Sequence, residues 1–181
     1  MCAVALNDCM LRNMYRYHYM VILDLDELIV SRQHEPYSLM PRRVDQRLNL
    51  TRPAHQYIFR NAYFLREFEP INANETLRSL RLRFRANISP DMFVVKSIVD
   101  PLYCFNSFQH HCKKQLADYS SKLLHVPNDI AIKLHFRACP NGFVNCTEMF
   151  KQKTLDDIML GNKPRLLAAV EPVYRELDLS L

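Results

Sequence analysis

Asp24, Asp26 and Glu27 place three carboxylates within four positions, directly after the apolar run Met20–Leu23. Such a run reads as a buried strand, and open α/β sheets collect their ligands at the carboxyl ends of strands. Side chains two apart converge where the backbone turns, with Leu25 between them pointing back into the core. Two chemistries suit the pair. In one, Asp24 and Asp26 offer hard oxygens to Mn2+ (or Mg2+), which bridges a nucleoside diphosphate and neutralises charge on it as it leaves. In the other, Asp24 is a nucleophile that takes a phosphoryl group and Asp26 is its general acid. A solvated turn is the plain alternative, but the segment has none of the glycine, asparagine or proline that turns favour.

A second group of chemistry-bearing residues lies in DIAIKLHFR, 129–137. On a strand, Ile130, Ile132, Leu134 and Phe136 share one face and Ala131, Lys133, His135 and Arg137 the other. Displayed this way, His135 is a candidate metal ligand and Arg137 a candidate partner for phosphate oxygens. The competing reading is an exposed edge strand, where Lys and Arg are routine. His110 and His111 are adjacent, so on a regular element they point apart and only one can serve a given site. His18, His34, His55 and His125 have no supporting context.

The elements that must position these residues are those of an α/β chain. Its 181 residues suffice for one domain with a real core. Asp8 is a plausible N-cap for a helix over about 9–18, followed at once by the strand 20–23. Pro36 and Pro41 divide the next region into short pieces. Residues 56–65 read as a central strand, Phe93–Val99 as another stopped by Asp100-Pro101, and Ile130–Arg137 as a third. From Thr154 the pattern is helical, with Asp156 and Asp157 as first-turn acids and a further helix over about 165–177.

Composition removes several functions. Only two glycines, Gly142 and Gly161, rule out a Walker-type phosphate loop and a dinucleotide fingerprint. The net charge of +5 is spread along the chain, which argues against nucleic acid as a partner. No apolar run approaches the ~20 residues of a membrane-spanning helix, and Asn7 and Asp8 interrupt anything resembling a signal peptide. The six cysteines, Cys2, Cys9, Cys104, Cys112, Cys139 and Cys146, contain no closely spaced pair of the structural-zinc kind. They suit disulfides instead. With the sequons at Asn49, Asn74 and Asn145 (that at Asn87 is weakened by Pro90), they point to the secretory pathway.

Taken in order, the segments resemble glycosyltransferase family 92. The resemblance is carried by DCMLRNMYRYHYMVILDLDELIV, then YIFRNAYF, then VVKSIVDP with Lys96 and Pro101, then His110 (or His111), and finally HFR at 135–137, over about residues 6–150. It implies an α/β fold, the C-terminal part of a GT-A type (Rossmann-like) domain with a mixed sheet. It also implies metal-dependent transfer of a hexose, galactose, from a uridine diphosphate donor to a glycan acceptor. Asp24, Asp26 and His135 are the expected metal ligands, and Glu27, Lys96, His110 and Arg137 the expected substrate contacts. The general base stays open among Glu67, Glu69, Asp91 and Asp100. The expected layout is one partial domain over 1–181. It comprises a DxD segment (20–31), an acceptor-side region (32–128), the His-Phe-Arg strand (129–137) and C-terminal helices (about 154–177).

The family's membrane anchor and first nucleotide-binding strands would precede residue 24, so the isolated chain is expected to be an inactive fragment of a Golgi single-pass membrane protein. Two alternatives accompany this reading. DLDELIV also resembles haloacid-dehalogenase-type phosphatases, although Leu28 stands where they place Thr or Val. A non-catalytic remnant that keeps the fold for binding is the other.

Overall fold

The structure is a computed structural model that describes residues 3–72, 74–115, 123–139 and 151–178. The chain forms two compact units, Met1–Asn61 with Ser89–Lys133, and Ala62–Ile88 with Leu134–Leu181.

In the first unit, helix α1 (Ala3–Asn13) is followed by β1 (Met20–Val21), β2 (Glu27–Ser31), α2 (Met40–Arg47) and β3 (Gln56–Phe59). Strand β4 (Asn61–Leu65), helix α3 (Arg78–Arg81) and β5 (Phe84–Arg85) come next, before the chain returns with β6 (Lys96–Val99). A 3-10 turn (Pro101–Tyr103), the hairpin β7 (Cys104–Ser107) and β8 (Cys112–Gln115), β9 (Leu123–His125) and β10 (Ala131–Arg137) follow. The unit boundaries fall within β4 and β10.

A four-stranded sheet runs in the order β1–β6–β3–β9. β6 is antiparallel to both β1 and β3, while β9 runs parallel to β3, so the sheet is mixed. β10 is the middle strand of a second sheet ordered β2–β10–β4. The core against these strands gathers Ile29, Met40, Val44, Tyr57, Phe59 and Ile98. The predicted strand 56–65 is two strands broken at Arg60, and every residue of both is buried, as in a sheet interior.

Several local expectations give way to other partners. Asp8 does not cap a helix; it lies inside α1, where its carboxylate accepts from Arg12 one turn on. Pro41 does not break its region but occupies the first turn of α2, where a missing N–H costs nothing. The strand expected over 20–23 leaves its ladder after Val21 and stands at the sheet edge. Ile22 and Leu23 continue inward as half-buried packing residues.

The hairpin β7–β8 is closed by a Cys104–Cys112 disulfide, and Asn7 of α1 clamps it through Ser107 with both its amide nitrogen and its oxygen. Cys139 is also disulfide-bonded, and Cys9 is an exposed free thiol. Two such bonds fit an oxidising compartment.

The second unit has its own core of Tyr63, Leu65, Phe68 and Ala86. Thr154–Leu155 is not helical: it forms β11, antiparallel to β5. The acids after it pair with arginines flanking that ladder, Asp156 with Arg85 and Asp157 with Arg83, so two guanidinium partners displace the expected helix N-terminus. Helix α4 (Lys163–Glu176) begins with Pro164 in its first turn and carries Pro172 inside. Among the described residues no helix is long and apolar enough to cross a membrane.

Candidate active site at the Asp24–Glu27 turn

Residues 24–27 form a tight turn tied at both ends. The Glu27 N–H donates to the Asp24 carbonyl (3.0 Å), and the Asp24 N–H donates back to the Glu27 carboxylate (3.1 Å). This reciprocal arrangement follows the logic of a capping box. It presents Asp24 and Asp26, both half-buried, from one short loop. Leu25, expected to fold back into the core, is at the tip and fully exposed (109 %). The closure of the turn leaves its side chain no inward path.

Beneath the turn lies a buried charge network. Glu27 is 3 % exposed, and its carboxylate meets Lys133 Nζ at 2.7 Å and Lys96 Nζ at 2.9 Å. Lys96 Nζ also reaches Asp24 Oδ2 at 3.1 Å. β1 and β6 set this up: in their antiparallel register Val21 faces Ile98, so the chain beyond Val21 heads towards Lys96. Burial would push the Glu27 carboxyl up, but Lys133 and Lys96 outweigh it and hold it at about 2. Lys133 is pushed the other way: burial lowers its ammonium to about 8, and Glu27 offsets only part of that.

Lys133 makes one further bond, to the Val94 carbonyl at 2.8 Å. Val94 has φ 51°, a left-handed conformation that a β-branched residue adopts only at a cost of ~1–3 kcal/mol. The strain aims that carbonyl at the ammonium. The next carbonyl, Val95, accepts from His110 Nδ1 at 3.0 Å, and Ser97 Oγ donates to the His110 carbonyl at 3.3 Å. Since a carbonyl only accepts, Nδ1 carries the proton and Nε2 faces the side-chain amide of Gln109. Burial, with Lys96 and Lys133 nearby, lowers the His110 imidazole below its ordinary value. The disulfide-closed hairpin thus presents His110 against the residues on either side of Lys96.

Of the residues singled out from the sequence, Asp24, Asp26, Glu27, Lys96 and His110 all belong to this part of the first unit. His135 and Arg137 belong to the second unit. There His135 is buried, its ring 5.3 Å from that of Tyr63, and Arg137 is half-buried with its Nε donating to Ala138. Among the candidate bases, Asp91 pairs with Arg60, Asp100 accepts from the Leu102 N–H, Glu67 accepts from the Cys139 N–H, and Glu69 is exposed. Burial raises the Asp100 carboxyl. Asn49 and Asn74 are exposed, as glycosylation acceptors must be, and Asn145 lies outside the described residues.

The sequence model of glycosyltransferase family 92 matches residues 2–163. The chain belongs to glycosyltransferase family 92. A comparison with curated proteins finds no match. A family 92 domain is a glycosyltransferase, so its substrates are a sugar donor and an acceptor. The phosphatase reading has no support. Its nucleophile would sit on a parallel sheet, whereas β1 is an edge strand antiparallel to β6.

Among the described residues, no group of three or more His, Cys, Asp or Glu side chains is gathered to hold a metal ion. The Asp24/Asp26 pair fits an ion of a different kind. Mg2+ and similar hard cations at phosphates take one or two carboxylates from the protein and the remaining oxygens from substrate and water. Lys133 is the residue that sequence reasoning missed as a site component. Its position in an alternating strand suggested an outward face, yet its side chain is wholly buried.

Proposed function

We propose that this family 92 domain transfers galactose from uridine diphosphate-galactose to a glycan acceptor in the Golgi lumen, using Mn2+ (or Mg2+) held by Asp24 and Asp26. The carrying observation is the braced turn, in which two carboxylates stand on a loop whose geometry is held by a buried, charge-balanced network. When bound, the ion supplies Lewis-acid stabilisation of charge on the leaving diphosphate.

The protein's own groups divide the remaining work. Lys96 orients Asp24 through an ion pair at 3.1 Å. Glu27, too buried to meet substrate, holds Lys96 and Lys133 and closes the turn. In this reading His110, which the hairpin holds against Val95 and Ser97, donates or accepts beside the diphosphate. His135 is read as a packing residue on Tyr63.

Calorimetry of uridine diphosphate binding tests this reading. Binding should require Mn2+ and be lost in Asp26→Ala, and hydrolysis of uridine diphosphate-galactose should exceed that of the glucose analogue. Equal binding in excess chelator rejects the metal, and equal hydrolysis of both donors rejects galactose.

A further inference from the structure

At the far end of β2 from the turn, the first unit contains an open cavity of about 260 Å³. Ser31, Gln33, Glu35 and Ile130 line it together with Arg43, Gln46 and Arg47 of α2. Positions 43, 46 and 47 share one helix face, so α2 presents all three together. Each arginine is held by a carboxylate at the rim, Arg43 Nε by Glu35 at 3.1 Å and Arg47 Nη2 by Asp129 at 2.8 Å.

This chemistry selects a ligand class. Both guanidinium charges are already matched, so the cavity is not built for an anion. What it offers is a set of planar donors and acceptors: the Arg43–Glu35 pair, the Arg47 guanidinium, two primary amides and the Ser31 hydroxyl. Ile130 and the aliphatic stems of the longer side chains supply its apolar surface. Such a lining matches a neutral ligand bearing adjacent hydroxyls. The volume lies below the ~300–1,000 Å³ of drug-sized pockets, so it has room for one sugar ring and little more.

We infer that this cavity is a saccharide subsite that grips the acceptor glycan at a residue remote from the one being modified. The inference rests on the transferase reading for its role but not for binding. The five residues of β2 start at Glu27 and end at Ser31, one wall of the cavity. At ~3.3 Å per residue, the cavity is ~13 Å along the strand from the turn. A short oligosaccharide spans that distance and a monosaccharide does not. The enzyme therefore prefers oligosaccharide acceptors.

The test uses the full chain and neutral oligosaccharides of one to five hexose or N-acetylhexosamine residues, with binding read by saturation-transfer NMR in the absence of donor and metal. At least one of the longer oligosaccharides should bind, and the double variant Gln33→Ala/Gln46→Ala should weaken it about tenfold, the loss expected for two hydrogen bonds. Both glutamines are exposed, and alanine is the best helix former at position 46, so the variant keeps its fold. Manganese-dependent uridine diphosphate binding should be unchanged in the same variant. If no oligosaccharide binds, if the variant binds them as well as wild type does, or if millimolar sulfate displaces them, the subsite is overturned. If saccharide binding behaves as described while uridine diphosphate fails to bind wild type, the subsite stands and the uridine diphosphate donor reading falls.

Discussion

Lys133→Met probes the buried network most directly. In the wild type, two carboxylates (Asp24 and Glu27) face two ammonium groups (Lys96 and Lys133), and the side chains of all but Asp24 are at most 1 % exposed. Methionine keeps most of the lysine's length and apolar stem, so the change is chiefly one of charge. The Glu27 carboxyl falls from its ordinary 4.5 to about 2, which favours its charged form by on the order of 3 kcal/mol. Burial pushes Lys133 the other way, from 10.5 to about 8, so desolvation opposes pairing across the network. The two offset, so the intact pair contributes little net stability, as is usual for buried ion pairs.

Removing one partner is another matter, because it strands a buried charge at a typical cost of ~3–5 kcal/mol. Lys96 remains 2.9 Å from Glu27, which places the expected loss at the lower end, about 3 kcal/mol. At ~2–4 °C per kcal/mol, the melting temperature should drop by ~6–12 °C. The double variant Glu27→Leu/Lys133→Met leaves Lys96 with Asp24 at 3.1 Å and restores balance. It should lie within about 1 kcal/mol of wild type. Only the double variant loses the carboxylate that closes the turn, so manganese-dependent uridine diphosphate affinity should fall ~10–100-fold there and less in Lys133→Met, where Glu27 still accepts from the Asp24 N–H. Guanidinium unfolding and calorimetry supply the two readouts. A Lys133→Met protein as stable as wild type, or a double variant whose loss equals the sum of the two single losses, would refute the reasoning.

Two further outcomes follow from the same geometry. Glu27 has a depressed carboxyl, so its contribution to stability is fully present above about pH 4.5 and is lost as pH falls towards about 2; pH-dependent unfolding should show that acid limb flattened in Glu27→Gln. His135→Ala should cost ~2–4 kcal/mol by emptying a buried position beside Tyr63, while manganese-dependent uridine diphosphate affinity per folded molecule stays at the wild-type value. A stable His135→Ala protein with weakened metal dependence would return the residue to the metal site.

The parts legible in the sequence are those set by neighbours along the chain. An apolar run feeding three acids marked the turn, and Asp100-Pro101 marked the end of β6, where Asp100 accepts from Leu102 and Pro101 opens the 3-10 turn. What failed was decided by side-chain partners, within one helical turn for Asp8 and across the chain for the rest. Asp8 looked like a cap until Arg12 claimed it, and Thr154 to Asp157 looked like a helix start until Arg83 and Arg85 claimed its acids. β10 shows the same limit. Its alternation of Ile, Leu and Phe with Lys and His is that of a strand with one wet face, and periodicity carries no information about the strands on either side. With β2 and β4 as neighbours, the supposedly wet face is buried too.

A signal for the network was nevertheless present. Lys96 sits in VVKSIV and Lys133 in IAIKLHF, each a lysine embedded in an otherwise strand-like apolar run. Burying an ammonium without a partner costs far more than a fold of ordinary stability can absorb, so each such lysine implies a carboxylate at its side. The chain has one place where acids cluster at the end of an apolar run, and that is DLDE. Two lysines in need of acids and a cluster of acids at a strand end form a single inference, reachable before any coordinates. It requires treating a charged residue in an apolar run as a demand on a distant segment, whereas strand alternation assigns it to an outward face. The same argument explains why Glu27 matters as much as the two aspartates that would meet the ligand. Without it, Lys133 loses its carboxylate, Lys96 has only Asp24, and the turn that presents Asp24 and Asp26 is no longer closed.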